Sequence, residues 1–127
     1  MNNIQQIDQE APIVQKTADL YKEFYGYLKM FPKQDQYLLG KRCEDYLLDF
    51  IEQIYGAVAV SKDERLPILI VANNKFEVLK FLLRSARELR IIDNKKYLSL
   101  ESKIQDIGKQ LGGWMKSLNL KTAWSRF

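Results

Sequence analysis

Three cations on one predicted helix face are the residues of this sequence best suited to chemistry. Lys80, Arg84 and Arg87 recur at i, i+4 and i+7, which places them on the same side of an α-helix. Ammonium and guanidinium groups donate strong hydrogen bonds to phosphate and carboxylate oxygens, so this face could bind a polyanion. A solvated face with Glu77 and Glu88 as partial counter-ions explains the spacing equally well.

More cations follow in the second half of the chain. Residues 61–127 hold fourteen Lys or Arg and seven Asp or Glu, a net charge of +7, whereas residues 1–60 hold six and nine, a net charge of −3. Such asymmetry favours a polyanionic partner for the basic half. The residues that we predict to contact nucleic acid or a polymerase are Lys80, Arg84, Arg87, Arg90, Lys95, Lys96, Lys109 and Lys116, with Lys103 as a further cation that could broaden the surface.

No combination of residues typical of a catalytic or metal site occurs. The chain has one cysteine and no histidine, which excludes a Cys/His pair, the usual zinc spacings and the Glu-x-x-His pattern of di-iron bundles. Phosphate-binding glycine patterns are also missing, because Gly108 and Gly112 fall within a helical pattern. Their spacing predicts close helix packing within the bundle, with a subunit contact as the alternative. Cys43 lies on an apolar stripe and is predicted to be buried and inert. We therefore expect no enzyme activity, no metal and no cofactor.

The elements that must position these residues are four amphipathic segments. In each segment apolar residues recur every three or four positions, as on one face of a helix. Helices of this length with short connections pack as antiparallel neighbours, at about 20° to one another. The fold class predicted is all-α, an antiparallel up-down four-helix bundle. The predicted helices span about residues 12–31, 33–60, 63–90 and 99–118.

Local signals set the predicted boundaries of the bundle. Pro32 ends the first segment, Ser61 begins the third with a capping-box pattern, and Ser99 is the predicted N-cap of the fourth. The bundle then covers residues 12–118, between a flexible N-terminus at 1–11 and a C-terminal tail at 119–127 that loses the periodic pattern.

The second segment carries an acidic outer face. Asp45, Asp49 and Glu52 stand at i, i+4 and i+7. Such a row is usually a solvated face, but it could also pair with the basic half of a neighbouring subunit, so these three residues are a candidate oligomer interface. The seven tyrosines lie mostly near apolar stripes. We expect half-buried packing for them, with base stacking as the alternative.

Neither a targeting segment nor a membrane span is predicted. Charged residues interrupt the first 30 positions, and no stretch approaches the ~18 apolar residues of a membrane-spanning helix. With a single cysteine, a reducing cytoplasm is the expected location.

An ordered set of short motifs resembles a known family. The motifs resemble those of the accessory variability determinant (Avd) proteins of diversity-generating retroelements, within the broader four-helix-bundle family that includes ribosomal S23-like proteins. The resemblance covers about residues 12–118. Its motifs are Phe31-Pro32-Lys33 with Asp35, Tyr37, Leu39, Gly40 and Arg42, then residues 79–84, and then residues 107–114 with their Leu-Gly-Gly-Trp ending.

The resemblance implies a non-enzymatic partner of the element's reverse transcriptase, assembled as a homopentameric barrel of bundles with a basic surface that binds nucleic acid. In such systems the complex copies a template RNA into mutagenised cDNA, which replaces a variable region of a target gene. The family's basic pair on the third helix falls on Lys80 and Arg84, which implies contacts to polymerase or RNA. Only Lys121 and Arg126 follow the bundle, where family members often have a basic tail.

A different function class stays open from the residues alone. The basic ridge could meet an acidic protein surface, which would make the chain a protein-interaction module with no nucleic-acid role. If the ligand is RNA or DNA, we expect little sequence preference, because the ridge offers phosphate contacts and no identifiable base reader.

Overall fold

Four helices make up the described part of the chain. The structure, a computed structural model, describes the backbone of residues 12–125 and the side chains of residues 12–119. No strand occurs in this range, so the predicted all-α class is confirmed; the predicted flexible segment at 1–11 lies outside the described residues. The helices are α1 (Pro12–Leu28), α2 (the contiguous segments Lys33–Asp35, Gln36–Gly40 and Lys41–Ala59), α3 (Lys62–Glu88) and α4 (Asn94–Ser125).

Contacts between helices establish the antiparallel up-down order. The Tyr21 hydroxyl donates to Glu44 at 3.0 Å and so joins α1 to α2, while the Phe50 and Phe76 rings join α2 to α3 with centroids 4.8 Å apart. The ring closes between α1 and α4, where the Lys16 ammonium lies 3.3 Å from an Asp106 oxygen. The connection between α1 and α2 therefore lies at the same end of the bundle as the connection between α3 and α4.

The core consists of the predicted apolar stripes. Each helix contributes side chains at three- and four-residue spacing that are almost fully removed from water, which supplies the main driving force for folding. The largest fully buried side chains are Phe24, Phe50, Phe76, Leu20, Leu47, Ile54, Leu69, Leu79, Leu83, Leu100, Ile104 and Ile107.

The fourth helix begins five residues earlier than predicted. Asp93, not Ser99, is its N-cap, because the Asp93 carboxylate accepts a hydrogen bond from the backbone N–H of Lys96 at 2.8 Å. Ser99 lies within the helix. The Lys96 ammonium adds a bond of 2.6 Å to the same carboxylate, which strengthens the cap.

Other helix ends also differ from the prediction. α1 ends at Leu28 instead of 31, since the N–H groups of Met30 and Phe31 bond to carbonyls three residues back and tighten the chain before Pro32. α3 ends at Glu88 instead of 90. α4 continues to Ser125, through the predicted tail, where no Gly or Pro interrupts the helix.

A single wide turn interrupts α2. Residues Gln36–Gly40 form a π-helical turn, and Gly40 is buried at its end against α1. A Cβ on Gly40 would collide with the Leu28 side chain and would lie 3.0 Å from the carbonyl oxygen of Asp35. The Leu28 side chain can move aside, so the contact with the Asp35 carbonyl within α2 is what favours glycine at this position.

The glycines of α4 do not have the close-packing role that their spacing predicted. A Cβ on Gly108 would make an ordinary contact with the Phe76 ring at 3.5 Å, and a Cβ on Gly112 would meet nothing within 4 Å. Gly112 faces outward, so its helical position has no packing reason within one chain.

Substitution of these glycines by alanine should have opposite effects on the free energy of unfolding. We expect Gly40→Ala to lower it by about 1–3 kcal/mol, because the Asp35 carbonyl cannot move aside as a side chain can. Gly112→Ala is the matched control and should raise it by up to about 1 kcal/mol through helix propensity. Urea unfolding followed by circular dichroism measures both, and equal effects would contradict the assigned role of Gly40.

Candidate functional site

The row on α3 combines a paired and an unpaired cation. The Lys80 ammonium lies 3.2 Å from a Glu77 oxygen and 5.7 Å from the centroid of the buried Phe76 ring. Arg84, one turn later, is exposed and forms no ion pair within residues 12–119. Glu77 is thus a counter-ion of Lys80, as expected for a solvated face, whereas Arg84 keeps a free guanidinium group.

Arg87 is part of the contact between α3 and α4. Its guanidinium carbon lies 4.3 Å from the centroid of the Tyr97 ring, and Tyr97 is only 7% exposed. Burial, together with the neighbouring Glu101 carboxylate, raises the pKa of the Tyr97 hydroxyl. Cation–π contact of this kind stabilises a half-buried arginine. Arg87 therefore serves the fold as well as the surface charge.

Arg90 adopts a backbone conformation that favours glycine. Its φ is 61°, the one positive φ among the described non-glycine residues. The Ile91 N–H donates to the Ala86 carbonyl at 2.8 Å and the Arg90 N–H donates to the Arg87 carbonyl at 2.9 Å, the pattern of a Schellman C-cap. The left-handed position usually carries Gly, so an arginine here costs backbone strain while it extends a cation from the end of the bundle.

The first turn of α4 adds two lysines, of which only one has a carboxylate partner among the described residues. Lys95 is exposed and pairs with no carboxylate in the described part of the chain, while Lys96 is held by Asp93. Hydrogen bonds from the Lys96 side chain and backbone lower the pKa of the Asp93 carboxyl. At this end of the bundle, three of the predicted cations therefore have no carboxylate partner among the described residues. We call these three residues, Arg84, Arg90 and Lys95, the free cation cluster.

A cleft lies between the middle part of α3 and the first half of α4. Its volume is about 350 Å³, with Lys80 on one wall and Lys109 on the other. Glu77 and Glu101 also line it, so its charge is mixed. The structure therefore brings Lys109 to the predicted surface.

Two other predicted cations lie elsewhere. Lys116 is exposed near the end of α4. Close to it along this helix, the centroid of the Trp114 ring lies 5.9 Å from the guanidinium carbon of Arg65, which belongs to the first turns of α3. Lys116 therefore lies at the opposite end of the bundle. Twenty residues of helix separate it from Lys96, which is roughly 30 Å. Lys103 faces α1 and pairs with Glu23, so it does not broaden the surface as expected.

The acidic face of α2 is largely paired within the chain. The Lys41 ammonium lies 2.8 Å from an Asp45 oxygen, and the Lys75 ammonium lies 3.5 Å from an Asp49 oxygen. Glu52 alone of the three is exposed without an ion pair in the described range. The candidate oligomer interface therefore has one unpaired carboxylate rather than three.

An exposed apolar band on α3 was missed by the sequence analysis. Phe81 is 59% exposed, and Leu89 is 68% exposed. Large exposed apolar patches mark interaction surfaces more often than isolated residues do. The sequence pattern that could have revealed this band is the presence of apolar residues on both faces of α3. The band consists of Ile70, Val71, Val78, Phe81 and Leu89.

Comparison with known proteins identifies the family. A family model described as bAvd-like matches residues 12–118, which is most of the chain and nearly the whole described bundle. The chain belongs to the bAvd-like family. This confirms the resemblance found from the motifs, and the family is one of accessory proteins of diversity-generating retroelements. No curated protein matches the chain.

Two observations on the described residues bear on a nucleophile or a metal site in this bAvd-like chain. Cys43 is fully buried, and burial raises the pKa of its thiol to about 12, so it stays protonated at neutral pH. Within the same residues no group of three or more carboxylate or thiol side chains could hold a metal ion. Among the described helices, none combines the length and the hydropathy of a membrane-spanning segment.

Replacement of Arg90 by glycine should change the stability of the fold and the binding to a polyanion in opposite directions. We expect Arg90→Gly to raise the free energy of unfolding by about 0.5–1 kcal/mol, because the left-handed backbone is relieved. The variant should also elute from heparin at lower salt, because the free cation cluster loses one member. Arg90→Lys keeps the charge and the strain, so it should match the parent in both urea unfolding and heparin elution. A destabilised Arg90→Gly variant would contradict the assignment of strain.

Proposed function

We propose that this protein is a non-enzymatic accessory factor of a diversity-generating retroelement. In this role it binds the element's reverse transcriptase together with template RNA and cDNA, and so supports mutagenic reverse transcription and retrohoming in the cytoplasm. The family match over residues 12–118 is the observation that carries the proposal. The free cation cluster at one end of the bundle supports the nucleic-acid part.

Phosphate groups are the natural ligands of the free cation cluster. Arg84, Arg90 and Lys95 have no carboxylate to neutralise them within the described residues, so an incoming phosphate displaces no internal ion pair. Guanidinium groups bind phosphate through two parallel hydrogen bonds. Released counter-ions then make the affinity strongly dependent on salt. We expect slight sequence preference, since contacts to the phosphate backbone carry no base information.

The proposal includes assembly into a homopentamer, as the family resemblance implies. A five-membered ring needs a head-to-tail interface, in which two different surfaces of the chain meet. The exposed apolar band of α3 supplies one candidate surface. Removal of its large side chains from water would favour association, at roughly 25 cal/mol per Å² of apolar area buried. The unpaired Glu52 could add a charge contact at such an interface.

A protein-interaction module with an acidic partner is the second candidate function. The cleft favours a protein partner over nucleic acid, because its lining is mixed, with Glu77 and Glu101 beside Lys80 and Lys109, and a peptide offers both charges where a phosphate backbone offers one. The acidic groups of such a partner would contact the two lysines.

Reversal of the family's basic pair should weaken RNA binding. We expect Lys80→Glu with Arg84→Glu to reduce the affinity for labelled RNA at least about tenfold and to lower the salt slope by about two, since two phosphate contacts are lost. Lys116→Glu makes the same kind of charge change at the other end of the bundle and should have a small effect. Fluorescence anisotropy at two or more salt concentrations measures both quantities.

Two outcomes of that titration contradict the nucleic-acid proposal. One is a parent protein that binds neither RNA nor DNA after nuclease treatment. The other is an affinity that does not change with salt. A protein partner that stays bound in a pull-down after nuclease digestion would then favour the protein-interaction module.

A charge in the apolar band should dissociate the oligomer without unfolding the chain. Phe81 is largely exposed, so Phe81→Glu should keep the parent circular dichroism spectrum while the mass from light scattering falls towards one chain. Leu98→Glu is the matched control, because Leu98 is 52% exposed on α4, outside the band. A variant with the parent mass would exclude the band from the interface.

A further inference from the structure

The acidic half of the chain contains a locally basic segment. Five of the six Lys and Arg residues in positions 1–60 fall within residues 22–42, where only two carboxylates occur. One of the two, Glu23, has a side chain that is 15% exposed and is paired with Lys103. All five cations are exposed, namely Lys22, Lys29, Lys33, Lys41 and Arg42.

Two exposed tyrosine rings accompany these cations. Tyr37 is 71% exposed, and its hydroxyl makes no hydrogen bond within the described residues. Tyr25 is 46% exposed, and the Lys29 ammonium lies 4.7 Å from the centroid of its ring. Lys33 precedes Tyr37 by one turn. We call Tyr25, Lys29, Lys33 and Tyr37 the α1–α2 end surface.

The local backbone holds this surface in place. The Gln36 amide donates to the carbonyl oxygens of Lys29 at 3.2 Å and Phe31 at 3.0 Å, which ties the end of α1 to the start of α2. Tyr37 itself lies in the π-helical turn, a feature that is frequent at functional sites. The exposed ring is therefore presented by a braced turn, and its binding should require little ordering of the backbone.

The antiparallel topology places this surface at the same end as the free cation cluster. Axes of packed neighbouring helices are about 8–10 Å apart, so the two connections at this end are separated by roughly 10–15 Å. A nucleic-acid strand of a few nucleotides could span that distance.

We infer that the α1–α2 end surface binds an unpaired nucleic-acid strand, with bases stacked on Tyr37 and Tyr25 and phosphates held by Lys29 and Lys33. Alternation of exposed aromatic rings with cations is the chemistry that single-strand binders use. A duplex hides the faces of its bases and would use the lysines alone. The inference rests on the nucleic-acid part of the proposed function. It specifies that the nucleic acid bound at this surface is single-stranded and not double-stranded.

The test compares Tyr37→Ala with Tyr37→Phe. A labelled unstructured RNA of 20 nucleotides and a duplex of the same composition serve as probes in fluorescence anisotropy. Tyr37→Ala should weaken binding of the single strand about fivefold or more and leave the duplex nearly unchanged, because one stacking contact is lost. Tyr37→Phe keeps the ring and should bind like the parent. Tyr55→Ala, at an exposed tyrosine near the opposite end of α2, is the positional control.

Each result decides between the possibilities. Parent-like binding of the single strand by Tyr37→Ala overturns the inference, and so does an equal loss for single strand and duplex. If Lys80→Glu with Arg84→Glu weakens binding while Tyr37→Ala does not, the inference is wrong and the proposed function stands. A parent that binds neither probe overturns both. Thermal unfolding of each variant confirms that the fold is retained.

Discussion

The packing of Phe76 is the interaction on which the rest of the structure depends. Its ring lies 4.8 Å from that of Phe50, and both rings are almost fully buried, which fixes the register of α3 against α2. The same ring lies under the Lys80 ammonium and faces Gly108 of α4. A shift of this side chain would move the floor of the cleft and the basic row together, because all three helices meet at it.

The charges of the chain divide into those that serve the fold and those that remain available. Cations that are equivalent in the sequence are not equivalent in the structure. Lys96 secures a helix cap and Lys103 closes the seam between α1 and α4, whereas Arg84 and Arg90 face solvent without a carboxylate partner among the described residues. A net charge of +4 therefore says less about binding than the placement of the few cations that no carboxylate neutralises.

The sequence allowed prediction of the features that depend on periodicity. The apolar stripes located the core, because residues spaced by three and four positions must share a helix face whatever the tertiary details. Asp93 was missed as the N-cap of α4 because Ser99 carries the same short-range signal, and only the preceding backbone decides between them. Ion pairs between helices could not be predicted from the sequence either, since Asp49 and its partner Lys75 are 26 positions apart in the chain. The braced turn around Gly40 depends on contact with α1, which no local pattern encodes.

The contact between α1 and α4 should open more easily than the contact between α2 and α3. Its lateral ion pairs, Lys16 with Asp106 and Lys103 with Glu23, each include a side chain at least 40% exposed, in contrast to the buried rings between α2 and α3. Exposed ion pairs are screened by salt, whereas contacts between buried rings are not. α1 is also the shortest of the four helices. We therefore expect α1 to detach at a lower free energy than the α2–α3 pair, and its backbone amides to exchange with solvent before those of that pair.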